Sequence, residues 1–141
     1  MIIMITEDYV GFENAKLLKE HGFDEPCNMG YNEKGKLLPL ANWTNSGLDA
    51  FESGNMKVTA PTLQRALKWL KLEKKLYIEV HLDMWALGDH LGYYIVIQRT
   101  DNDFQVISPH VDEDDTVFFK SSEAATEAAI KYCLENLVDK D

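Results

Sequence analysis

The chemistry this chain could attempt rests on four histidines and a surplus of carboxylates. In HLDMWALGDHLGYYIVIQ (residues 81–98), His81 and Asp83 stand two apart on an alternating stretch, and Asp89 and His90 follow across a turn. Zinc and other transition metals accept imidazole and carboxylate ligands. His81, Asp83 and His90 are therefore the candidate metal set, with His110 and Asp112 on a neighbouring strand. The spacing is not that of HExxH or another ordered signature. The plainer reading makes these residues the polar face and turn of a hairpin.

Other chemistries find less support. Asp112-Glu113-Asp114-Asp115 lacks the spacing and glycine of a calcium loop, and Asp101-Asn102-Asp103 reads as a turn. There is no GxSxG, and Ser46, Ser53, Ser108, Ser121 and Ser122 fall in loops or caps. No GxGxxG or GxxxxGK[ST] is present, so no nucleotide cofactor is called for. Cys27 and Cys133 form no CxxC pair, which suits a reducing cytoplasm. No catalytic residue is singled out, and the expectation is a protein without enzymatic activity or cofactor.

Charge narrows the partners. The net charge of -10 argues against general nucleic-acid binding, which needs positive surface to displace phosphate counterions. Residues 101–141 carry eleven acids against three lysines, whereas residues 62–76 carry five bases and one acid. The acidic third suggests an inhibitor or DNA mimic acting on a basic target. The stripe Arg65, Lys68, Lys71 and Lys75 reads as the wet side of an amphipathic helix. From residue 62 onward α–β–β–β–α formally matches a double-stranded-RNA-binding domain. Ser121, Ser122 and Glu123 stand where such domains place lysines, and nucleic acid is not an expected partner. No apolar run approaches the ~20 residues of a membrane helix, and MIIMITEDYV lacks the basic start of a signal peptide.

The elements that must position these groups follow from periodicity. GFENAKLLKEH (11–21) reads as a helix closed by Gly22, and CNMGYNEKGKLLPL (27–40) as a hairpin ended by Pro39. Weak periodicity and frequent Asn, Ser and Gly predict a long loop over 41–58, pinned by Trp43, Leu48 and Phe51. TAPTLQRALKWLKLEKKL is a helix capped by Thr59 or Thr62, with Leu63, Ala66, Leu67, Trp69 and Leu70 inward. YIEVHLDM and YYIVIQRT are strands joined by the turn WALGDHLG; FQVIS and TVFF follow. SSEAATEAAIKYCLENLV closes the chain as a helix with Glu127, Lys131 and Glu135 on its outer face. Short hairpin connections make the sheet largely antiparallel with helices packed on one side. The fold class is α+β, in one domain over 1–141, in the order α-β-β-α-β-β-β-(β)-α.

GFENAKLLKEHGFDEPC (11–27), APTLQRALKWL (60–70) and EAAIKYCLENL (127–137) resemble a family of small uncharacterised proteins of phages, prophages and mobile elements of gut bacteria. The resemblance covers most of the chain and implies a cytoplasmic accessory protein. GYYIVI, FQVISP and TVFFKSSEAATEAAIKYCLENL are similar in architecture to HicB-type antitoxins. The Gly-Cys turn of those proteins is replaced here by SPHVDEDD, and no DNA-binding segment follows.

The expectation is a protein-interaction module. Trp43 and Phe51, or Trp85 and Leu87 at the hairpin tip, are the candidate contacts, since aromatic side chains are favoured interface anchors. The alternatives are an antitoxin-like inhibitor and a small metal-dependent enzyme. The protein partner is not identified by sequence. An exposed sheet edge could pair two copies as a homodimer, though nothing in the sequence calls for it.

Overall fold

A computed structural model describes residues 8–51, 55–87, 90–101, 106–107 and 119–138. Helix α1 (Phe12–Glu20) stops where the sequence places Gly22. Gly22 adopts φ 93°, the left-handed conformation that costs an L side chain most. Its N–H bonds the Lys19 carbonyl at 3.1 Å, and the Phe23 N–H bonds Leu18 at 2.9 Å. These two bonds close the helix in a Schellman turn and bury Phe23.

β1 (Cys27–Asn32) and β2 (Leu37–Trp43) form the hairpin the sequence predicts. Asn32 Oδ1 accepts from the N–H groups of Lys34 and Lys36, each at 2.9 Å, and Gly35 turns the chain at φ 79°. Pro39 lies within β2 rather than ending it. That is allowed because β2 is an edge strand.

The long loop expected over 41–58 is corrected by the structure. β2 runs to Trp43, α2 spans Asn45–Phe51, and β3 spans Met56–Thr59. Thr44 caps the short helix, its Oγ1 accepting from the Gly47 N–H at 3.0 Å. Asp24 accepts from both the N–H and the hydroxyl of Ser46, each at 2.7 Å. Helix α2 thus owes its form to capping and tertiary bonds, which leave no hydrophobic period. β3 pairs with β1 on the side away from β2, giving the antiparallel order β2-β1-β3.

α3 (Leu63–Glu73) begins at Thr62, whose hydroxyl accepts from the Arg65 N–H at 3.2 Å. Thr59, the other candidate cap, belongs to β3. Leu63, Ala66, Trp69 and Leu70 are buried, and Trp69 meets Phe23 edge-on at 5.4 Å. β4 (Leu76–Leu87) and β5 (His90–Arg99) form the long hairpin. Strand pairing extends to Leu87↔His90, so the turn is shorter than WALGDHLG, and residues 88–89 lie outside the described set.

β6 (Val106–Ile107) lies on the far side of β5, and Phe119 makes a bridge to Tyr93. Within FQVIS only Val106–Ile107 is described, and within TVFF only Phe119. α4 (Ser122–Tyr132) is capped by the Ser121 hydroxyl and runs into a π-helical turn over Cys133–Leu137.

The architecture is α+β with two antiparallel sheets. α4 lays Ala125 and Ala129 against Ile95, with Ile78, Val80, Tyr93 and Phe119 around them. A larger core joins α1, β1, β3, α3, β5 and α4 through Leu18, Tyr31, Val58, Leu70, Ile97 and Ile130. No helix among the described residues is long and apolar enough to cross a membrane.

Candidate interaction surface

Alternation along β4 divides its side chains between two faces. Ile78 and Val80 turn inward, with Ile95 and Ile97 opposite them. Tyr77, Glu79, His81 and Asp83 turn outward, facing Gln98, Val96, Tyr94 and Gly92 of β5. On this outer face Tyr77, Glu79, His81, Tyr94, Val96 and Gln98 are all half-buried. The His81 and Tyr94 rings stack with centroids 5.1 Å apart and planes 15° from parallel. His81 Nε2 lies 2.8 Å from Glu79 Oε2, with both side chains open to solvent at 41% and 36%. Lys71 reaches from α3 to within 5.2 Å of the Tyr77 ring centroid. The result is a flat surface of rings and stems edged by charge.

The structure places His81 and Asp83 on one face, as alternation requires. The side chain of His90 lies outside the described set, as do His110 and Asp112 altogether. His81 is engaged with Glu79, and no group of three metal-ligating side chains gathers among the described residues. Trp43 is half-buried near the end of β2, its ring against the helix position Gly47. Phe51 ends α2, and Trp85 and Leu87 lie near the far end of β4; their side chains fall outside the described set. The four candidate anchors thus sit on two different sheets and the helix between them.

Glu127 corrects the expected outer charge row of α4. Its carboxylate accepts from the Gly11 N–H at 2.9 and 3.1 Å, and Asn14 Nδ2 donates to it at 3.3 Å. Glu127 is therefore the cap of α1, a carboxylate set at the positive end of that helix dipole. Burial pushes its carboxyl above the ordinary range, while the Gly11 and Asn14 bonds pull the other way. The i,i+4 pattern with Lys131 and Glu135 hid this role, because local spacing does not register a contact 116 residues distant.

The remaining candidates are also accounted for. Arg65, Lys68 and Lys71 are exposed along α3, with Arg65 at 3.9 Å from Glu25, while Lys75, the last of the expected stripe, lies past the helix end at φ 57° and is exposed too. Burial holds the Cys27 thiol above its ordinary range and pushes that of Cys133 up to about 12. Both cysteines are buried and unbridged. A cleft of about 510 Å³ lies between the starts of α3 and α4 over Ile78 and Val80. Sequence reasoning placed His81 on its face but missed Tyr94, because YYIVIQ is a nearly unbroken apolar run and the pair His81↔Tyr94 is set by the hairpin register.

No protein-family model matches this chain, and neither a curated protein nor a solved structure does.

Proposed function

We propose that this chain is a non-enzymatic protein-interaction module of the cytoplasm that takes its protein partner on the outer face of β4–β5. One observation carries the reading. On the inner side of this hairpin α4 buries Ile95, with Ile78 and Val80 packed beside it, while half-exposed rings line the other side, with His81 stacked on Tyr94. Rings of this kind supply large contact area at little conformational cost. Glu79 and His81 add direction, since a carboxylate beside an imidazole offers a partner an oriented set of acceptor and donor groups. The two unbridged cysteines, both buried, suit a reducing compartment.

The test is affinity capture of the tagged full chain from host lysate, with wild type beside Tyr94→Glu and Trp43→Ala. A protein retained by wild type and Trp43→Ala but lost from Tyr94→Glu supports the outer face. Loss on Trp43→Ala alone moves the contact to β2. An identical set from all three folded proteins removes both surfaces.

A further inference from the structure

We infer that β4 is a dimerisation edge, on which two copies of the chain join their second sheets about a two-fold axis at Val80. This does not depend on the partner reading above. It comes from the direction of the backbone groups.

Tyr93 exchanges both backbone bonds with Phe119, its N–H at 2.9 Å and its carbonyl at 2.7 Å. Tyr93 therefore points its polar groups away from β4, and the facing pair Leu82↔Tyr93 is of the non-bonded kind. The opposite end gives the same parity. The Thr100 N–H donates to the Lys75 carbonyl at 2.9 Å, so odd-numbered residues of β4 address β5. The N–H and C=O groups of Ile78, Val80 and Leu82 consequently point outward. Among the described residues no strand receives them.

An open row of this kind pairs readily unless something blocks it. β4 keeps one register with β5 from Leu76 to Asp83, before the pairing shifts ahead of Leu87, and this stretch carries no proline or lysine. Leu82 stands 51% exposed at this edge, an unusual position for a large apolar side chain.

An antiparallel second copy centred on Val80 fits the edge on both faces. The outward groups fall opposite one another, Val80 to Val80 and Ile78 to Leu82 of the second copy, each a doubly bonded pair. On the inner face the apolar Ile78 and Leu82 then meet. On the outer face Glu79 lies directly opposite His81 of the second copy, and symmetry repeats the pair. Facing side chains in such non-bonded positions approach closely, so an imidazole N–H can donate to the carboxylate across the seam. One register therefore satisfies backbone, apolar and polar groups at once. The occupant that fits is a second copy of this chain.

The test is sedimentation equilibrium of the full chain from about 1 µM to about 1 mM, a span that covers weak to moderate association. The expected species is a dimer of twice 16.1 kDa. Leu82→Lys sets a charge on the exposed edge and counts twice per dimer, so it should weaken association by about tenfold or more. Its melting temperature should stay near that of wild type, because Leu82 is already exposed. Glu79→Lys should also weaken the dimer, and the swapped double variant Glu79→His/His81→Glu should recover it. A chain that stays monomeric throughout, or a dimer indifferent to both single variants, overturns the proposal.

Amide hydrogen exchange gives a readout that needs no variant. Protection at Ile78, Val80 and Leu82 should fall on dilution. Protection independent of concentration assigns the edge to an element of the same chain and overturns it equally.

Discussion

The two sheets of this molecule are held together by different means and end in edges of opposite character. The first, β2-β1-β3, is fastened to its surroundings by buried polar groups. Asn45 donates to the Phe23 carbonyl at 2.8 Å and accepts from the Thr59 N–H at 2.9 Å. The Tyr31 hydroxyl donates to Val10 at 2.6 Å. The second, β4-β5-β6, rests on an apolar seam between Ile95, Ile97 and α4.

The edges differ in the same sense. On β1 the Met29 carbonyl bonds Ala60, toward β3, so the nitrogen of the facing Pro39 points to the open side of β2. Proline removes a donor there, and Asn42 at φ 60° bends the strand three residues later. β4 carries neither device. Polar pinning and a guarded edge suit a sheet that must stay single, whereas an apolar seam leaves the second sheet's far edge available for pairing.

The largest effect that would break this comparison is in the second sheet. Ile97 is fully buried on the central strand β5, and Ile97→Ala should cost about 2–5 kcal/mol through lost burial and a cavity. Urea unfolding measures it. A loss below about 1 kcal/mol would mean that this seam can collapse and does not carry the sheet.

Next comes Asn45→Leu in the first sheet. It keeps the volume but leaves the Phe23 carbonyl and the Thr59 N–H without their partner, at about 2–3 kcal/mol. Amide exchange should rise in β1 and β3 before β4 and β5. A uniform rise across both sheets would show that the molecule opens as one unit and that the polar pins are not local.

Much of the second sheet was legible in the sequence, and less of the first. YIEVHLDM announces β4 by strict alternation and YYIVIQRT returns after the turn as β5, and of the candidate caps, Thr59 or Thr62 and Ser121 or Ser122, the structure uses Thr62 and Ser121. These signals are local: a two-residue period, or a hydroxyl three residues before the N–H it accepts from. The segment 45–59 carries no such signal. Asn45 earns its place by joining Phe23 to Thr59, partners 22 and 14 residues away. Of the candidate site, the shared face of His81 and Asp83 followed from parity alone. The stack with Tyr94 needed the strand register, which the hairpin sequence leaves ambiguous near Asp83, where the pairing shifts.

The smallest effect expected is a pH dependence confined to the α1 side of the molecule. Burial raises the Glu127 carboxyl above its ordinary 4.5, against the pull of Gly11 and Asn14. Above 4.5 the folded chain therefore binds more proton at this site than the unfolded chain does. Stability from Glu127 is full below 4.5 and is lost as pH rises through the raised folded value. Glu127→Gln cannot titrate and lacks this slope. The stability of wild type minus that of Glu127→Gln should thus fall as pH rises from 4.5 toward neutrality, then level off. Urea midpoints of both proteins across that range measure it, since each midpoint scales with stability at constant slope. Parallel curves would mean that the carboxylate is as well solvated folded as unfolded, and that Gly11 and Asn14 fully offset its burial. A difference that instead widens with pH would mean that those two bonds outweigh burial, making the ionised cap a net support of α1.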